Sequence, residues 1–172
     1  MTILNEKNLI KPEFISRQIL DRLSAEAKHS PRLRKNYNFH SSDQDICHRL
    51  LNAMEPDSYI QPHRHLNTSK DEALVVIRGR IGIIIFDVEG NIKENVLLEP
   101  AGGIMMVNIP HEIFHTCVSL EEGTVFFEAK AGPFIPLAPE EKAPWAPPEN
   151  DEFVTEYLES LKTLFKSKIL ER

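Results

Sequence analysis

The chain has 172 residues, 41% of them hydrophobic and 27% charged, with a formal charge of -6; this size suits one domain around a single core, whereas two domains would each be marginal. No apolar run approaches the roughly 20 residues needed to cross a bilayer, and the acidic balance disfavours nucleic acid, whose phosphates call for a basic surface. The opening MTILNEKNLIKPEF lacks the basic region, apolar stretch and small-residue cleavage site of a secretory signal, so the expected location is the cytoplasm.

From residue 11 to 29, Phe14, Ile15, Ile19, Leu20, Leu23 and Ala27 recur at three- and four-residue spacings, the stripe of an amphipathic helix with Pro12 in its first turn. Residues 1–35 are therefore expected to form a helical extension. Beyond Pro31 the pattern changes to short β-branched and apolar runs separated by Gly, Pro and Asp turns, and the spacing predicts strands at 47–54, 58–63, 72–77, 80–87, 92–98, 104–109, 115–119 and 124–129. Eight short strands suit a jelly roll or small barrel, expected over residues 36–135. Turns with positive φ are expected at Gly90, in Ala101-Gly102-Gly103 and at Gly123. No helical crossover interrupts these strands, which disfavours a parallel α/β sheet.

Six prolines lie between residues 133 and 148, so this stretch should be extended and irregular. Over 136–150 it is expected to lie on the barrel, pinned by Trp145. A second helical stripe, Phe153, Tyr157, Leu158, Leu161, Leu164, Phe165 and Ile169, predicts a C-terminal helix over 151–172 that packs on its own barrel or on a second subunit. That stripe, together with exposed strand edges, makes a homodimer the expected assembly. Cys47 and Cys117 are too few and too isolated for a disulfide framework or a thiolate cluster, and read as buried, inert thiols.

The stretch that carries chemistry is Pro62-His63-Arg64-His65, followed by Glu72 and Gly79. Along an extended strand side chains alternate, so His63 and His65 point one way and Arg64 the other. A turn through residues 66–71 returns the chain with Glu72 beside them. Some forty residues later Pro110-His111-Glu112-Ile113-Phe114-His115 offers a fourth ligand, which barrel closure could bring to the other three. Three imidazoles and a carboxylate suit one divalent transition metal ion (iron, manganese, nickel, cobalt or zinc) better than calcium or magnesium, which prefer oxygen throughout. Four ligands leave open positions on a six-coordinate ion, although a closed four-coordinate structural zinc is the competing geometry. His29, His40, His48 and His111 read as structural or solvent-exposed.

These residues resemble the two cupin motifs. His63, His65, Glu72 and Gly79 stand in the first, and Gly103, Pro110 and His115 in the second. More narrowly, the chain is similar to the WbuC family of cupin-fold metalloproteins over roughly residues 20–150, in the blocks Ser30-Pro31-Arg32-Leu33-Arg34, Arg49-Leu50-Leu51-Asn52-Ala53, Pro62-His63-Arg64-His65, the run FFEAKAGP from Phe126, and Ala143-Pro144-Trp145-Ala146-Pro147. The resemblance implies a mainly β cupin double-stranded β-helix, a jelly-roll barrel, with a metal at His63, His65, Glu72 and His115, and an association with bacterial surface-polysaccharide gene clusters. Two departures are visible. Glu112 stands where the second motif usually has Gly, so the turn before His115 is expected to differ. The spacer before Glu72 is longer than usual, so Glu72 is expected farther from the metal.

The leading expectation is a metal-dependent enzyme, such as an isomerase, epimerase or dioxygenase, acting on a small polar metabolite such as a sugar derivative. Glu128 and Lys130 are its candidate catalytic residues, two apart on one strand and so on one face, for moving a proton or holding an anion. Gln61, Lys70 and Arg78 are further candidates around the metal. The alternatives are a non-catalytic binding or sensor protein, and a metal that only closes the barrel.

Overall fold

The computed structural model describes residues 11–170, so the first ten residues and the last two, which the sequence assigns to the terminal helical regions, lie outside the described residues. Helix α1 spans Arg17–Lys28, shorter than the stripe predicts. Residues 11–16 are not helical; Ser16 is extended at the N-cap, so Pro12 lies ahead of the helix and not in its first turn. Leu20, Leu23 and Ala27 are buried against Leu51, Ala53 and Val125.

Eight strands follow: β1 Arg34–Asn38, β2 Cys47–Met54, β3 Glu72–Arg78, β4 Ile81–Phe86, β5 Ile92–Leu98, β6 Met106–Ile109, β7 Phe114–Ser119 and β8 Thr124–Ala131. They form two antiparallel sheets, one ordered β1-β2-β8-β3-β6 and the other β5-β4-β7. Between them Met54, Leu74, Val76, Ile81, Ile83, Leu98, Ile109 and Phe126 make the inner core. The outer face of the larger sheet takes α1, and the outer face of the smaller one takes the C-terminal region. That is why β4, reading IGIIIF, is apolar on both faces, as a strand covered on both sides must be.

Two expectations about strands are corrected. Residues 58–63 do not form a strand; His63 alone makes bridges, to His115 and to Lys142. Pro62 has no N–H to donate, so a ladder cannot continue through it. Conversely β1, reading RKNYN, is a strand that carries little apolar alternation, because it is an edge whose order comes from pairing Arg34 with Met54 through to Asn38 with Leu50.

The turns are partly as expected. Gly79, Gly90 and Gly123 have φ of 78°, 90° and 67°, whereas neither Gly102 nor Gly103 takes a positive φ. Glu112 has φ of 65°, the left-handed conformation a glycine would supply. The turn before His115 is thus kept, in spite of the substituted side chain.

The proline-rich stretch lies on the barrel, with Ala143 and Ala146 buried and the Trp145 ring 4.7 Å from Phe86 and 6.0 Å from Phe114. The C-terminal stripe becomes two helices, α2 Val154–Thr163 and α3 Lys166–Leu170. Leu158, Leu161 and Phe165 are buried with Ile84, Leu97 and Val118 of the same chain. The stripe therefore packs on its own barrel, except for Phe153, which is 60% exposed. Cys117 is buried, whereas Cys47, expected to be buried, is exposed at the start of β2. Among the described residues no helix is long and apolar enough to cross a membrane.

Candidate metal centre

His63 and His115 face each other across a two-way backbone bridge, His63 N donating to His115 O at 3.0 Å and His115 N to His63 O at 2.8 Å. This short pairing replaces the missing strand and sets the two imidazoles side by side, ring centroids 4.7 Å apart. Two residues on, His65 O accepts from Glu112 N at 2.7 Å. Glu72 enters from the first residue of β3, its neighbours across the sheet being Ile109 and Lys130. The ligand atoms of His63, His65 and Glu72 lie within 4.8 Å of one another. His115 lies outside that mutual spacing but touches Glu72, its Nε2 3.3 Å from Oε2, while His65 Nε2 lies 2.8 Å from Oε1. The longer spacer before Glu72 therefore does not carry its carboxylate away from the histidines.

The donor set fits a metal ion. A carbonyl oxygen only accepts, so the contacts of His63 Nδ1 with Gln61 O at 3.0 Å and of His115 Nδ1 with Ile113 O at 2.8 Å place a proton on each Nδ1. In the neutral ring Nε2 then carries the lone pair, as metal-bound histidines held from behind by a carbonyl do. The His115 Nε2 lone pair faces a carboxylate oxygen, an arrangement that needs a cation between them, either a proton or a metal ion. Burial, reinforced by the neighbouring His115, lowers the His63 pKa to about 3, leaving the ring neutral. Burial opposes ionisation of Glu72, but contacts with His115 and His65 and the charge of Lys130 outweigh it and hold the carboxyl well below its usual range.

Lys130 and Glu128 are brought to this centre. The Lys130 ammonium donates to Glu72 Oε1 at 2.8 Å and lies 2.6 Å from Glu128 Oε1. Burial would lower its pKa, but the two carboxylates more than offset that and raise it above the ordinary lysine value. Glu128 Oε2 accepts from Asn52 Nδ2 at 2.7 Å, a partner that sequence reasoning did not single out. Asn52 is recognisable only once β2 is known to lie beside β8.

Of the other candidates, Gln61 stays beside the centre, with its backbone carbonyl against His63 Nδ1 and its residue lining the cavity, while Lys70 and Arg78 are placed elsewhere. Gln61 donates to Ala143 O and Ala146 O, tying down the proline-rich stretch. Arg78 clamps α1 through Leu20 O, Ser24 and Asp21, far from the centre in role. Lys70 is buried in the loop before β3, its N donating to Asn67 O at 2.9 Å. His40 and His48, read as structural or exposed, are both buried and stacked at 4.1 Å. His111 is paired with Asp71, which accepts from its N at 2.9 Å and contacts its Nδ1 at 2.8 Å. That pair fastens the loop leading to Glu72 onto the turn leading to His115.

The cluster opens into a cavity of about 930 Å³ between the sheets, large enough for a metabolite. His63, Glu72, His115, Glu128 and Lys130 line one side, and Leu50, Leu74, Ile83 and Phe126 supply an apolar floor.

Residues 15–98 match a family described as a domain of unknown function, DUF6016. The narrower resemblance to the WbuC family has no counterpart in that match. No curated protein matches the chain. Among solved structures it is similar to BH2720 from Bacillus halodurans, at 16% identity and a TM-score of 0.50, covering 74% of this chain and 86% of that one. It is also similar to KdgF from Halomonas sp. (16% identity, TM-score 0.47, 60% of this chain and 82% of that one) and to a cupin-2 domain containing protein from Shewanella frigidimarina (19%, 0.43, 57% and 80%). At such identities the likeness concerns the fold. With its two facing antiparallel sheets, the chain is a mainly β jelly-roll barrel, carrying a His/Glu cluster that could hold a metal ion.

Proposed function

We propose that the chain binds one divalent transition metal ion through His63, His65, Glu72 and His115 and works as a metal-dependent enzyme on a small polar metabolite, such as a sugar derivative, held in the cavity. The observation that carries this reading is the paired backbone hold on His63 Nδ1 and His115 Nδ1, which leaves the Nε2 lone pair of each ring free and sets that of His115 against the Glu72 carboxylate at the cavity wall. When bound, the ion would supply a Lewis acid for a ligand oxygen.

The remaining chemistry belongs to the chain's own side chains. Glu128, presented to the cavity between Asn52 and Lys130, is the group to take a proton from the ligand and return it. Lys130 keeps its charge through the neutral range, so it serves as a fixed cation that orients Glu72 and Glu128. The two candidate catalytic residues thus take different roles. The blocks shared with WbuC-like proteins support a place in bacterial surface-polysaccharide biosynthesis.

The test is elemental analysis of protein purified without a metal-affinity tag, beside His63→Ala, Glu72→Ala and His115→Ala. Near-stoichiometric metal in the parent and its loss in the variants is the expected outcome. A parent that takes up none of iron, manganese, nickel, cobalt or zinc would sink the reading. If a ligand found by thermal shift is recovered unchanged after long incubation with the metal-loaded chain, binding without catalysis becomes the better account.

A further inference from the structure

The wall of the cavity away from the metal cluster has its own chemistry. Across an antiparallel pair, directly opposed residues share a face. Asn36 opposes Asn52, whose carboxamide reaches Glu128 inside the barrel, and Asn38 opposes the cavity-lining Leu50. The inner face of β1 therefore presents Arg34, Asn36 and Asn38 in sequence at every second position. Arg34 is engaged with Tyr59 O and Glu149. The carboxamides of Asn36 and Asn38 line the cavity with no hydrogen bond to any described residue. A carboxamide both donates and accepts, which matches a hydroxyl group.

Charge points the same way. The chain as a whole carries 20 basic against 26 acidic residues, whereas the cavity lining is close to balanced, with Arg32, Arg34, Lys35, Lys130 and Lys142 against Asp43, Glu72, Glu128 and Glu149. Arg32 and Arg34 share a single carboxylate, Glu149, at 3.0 and 2.6 Å. Lys142 opposes His63 in their backbone bridge, so its side chain shares the His63 face and lines the cavity, and its ammonium has no partner among the described residues. Lys130 sits between Glu72 and Glu128, and Asp43 adds a carboxylate at the mouth. A divalent cation at the metal cluster would make the whole lining clearly positive, which in a partly enclosed site attracts anions.

We propose that the ligand of this cavity is a small polyhydroxylated anion, its hydroxyls met by Asn36 and Asn38 and its anionic group by Lys142 and the Arg32–Arg34 corner. This rests on the metal-site reading for orientation and added positive charge at the cluster, but the amide wall and the Lys142 ammonium, unpartnered among the described residues, stand without it. A carboxylate and a phosphate ester would satisfy the same groups.

Isothermal titration of the full chain, metal-loaded and metal-stripped, with glucose 6-phosphate beside glucose and gluconate beside sorbitol, tests the proposal and separates the two sources of charge. At least one anion is expected to bind tenfold or more tighter than its neutral counterpart. Raising the salt concentration should weaken that binding. Lys142→Ala should cost the anion fivefold or more, and Asn36→Ala with Asn38→Ala should weaken it comparably, with circular dichroism and metal content as in the parent. Neutral partners that bind as well as the anions, or no anion binding by a folded parent, would overturn the proposal. A parent that takes up no metal and still prefers the anions would sink the metal reading alone.

Discussion

His63 couples the metal centre to acidity. Burial and the adjacent His115 bring its pKa down to about 3, whereas in the unfolded chain it protonates near the ordinary value of about 6.5. Above that value both states are neutral and the group costs nothing. As pH falls below it the unfolded state takes up the proton first, so stability of the metal-free fold declines progressively until about pH 3, by a few kcal/mol in total. Urea midpoints of chelator-treated protein between pH 7 and 4 should fall, and the slope should flatten in His63→Asn. An unchanged slope in that variant would mean that His63 is not held neutral. The ligand types were legible at this scale because His63, His65 and Glu72 are close in sequence. What escaped was their support: Asn52 behind Glu128, and Asp71 fastened to His111, are pairs separated by 76 and 40 residues.

Elements with strong periodicity were legible, and those ordered by their neighbours were not. β2, β5 and the core of β4 carry apolar runs at strand spacing and fall where the sequence places them. β1 owes its form to β2, and residues 58–63 lose theirs to Pro62. The C-terminal helices show how one element depends on a detail of another. Phe165 is fully buried against Gly82 of β4, where an added Cβ would lie 2.4 Å from the ring. Phe165→Ala should cost about 3–5 kcal/mol through lost burial and the cavity left behind. Gly82→Ala should also destabilise, by overpacking the same contact. Chemical denaturation of both variants checks this; a loss below about 1 kcal/mol for Phe165→Ala would show that α2 and α3 are not integral to the barrel.

For the molecule as a whole, a metal that binds only the folded chain must stabilise it. At a free concentration of about 100 times its Kd the gain is about 2.7 kcal/mol, which for a chain of this size raises Tm by about 5–10 °C. Differential scanning calorimetry of chelated and reloaded protein should show that rise, reduced or absent in Glu72→Ala. A collapse of the fold on chelation would instead indicate a metal that only closes the barrel.

By itself the sequence determined the mainly β class, the two terminal apolar stripes and the kinds of ligand in the cluster, because each depends on local periodicity or on side-chain chemistry. Only the tertiary structure decided that β2 lies between β1 and β8, that Lys130 bridges Glu72 and Glu128, and that Asn36, Asn38 and Lys142 look into the same cavity. Those residues come from distant parts of the chain. They share a surface only once the sheets have paired and closed, and sheet order leaves no mark on the periodicity of any one strand.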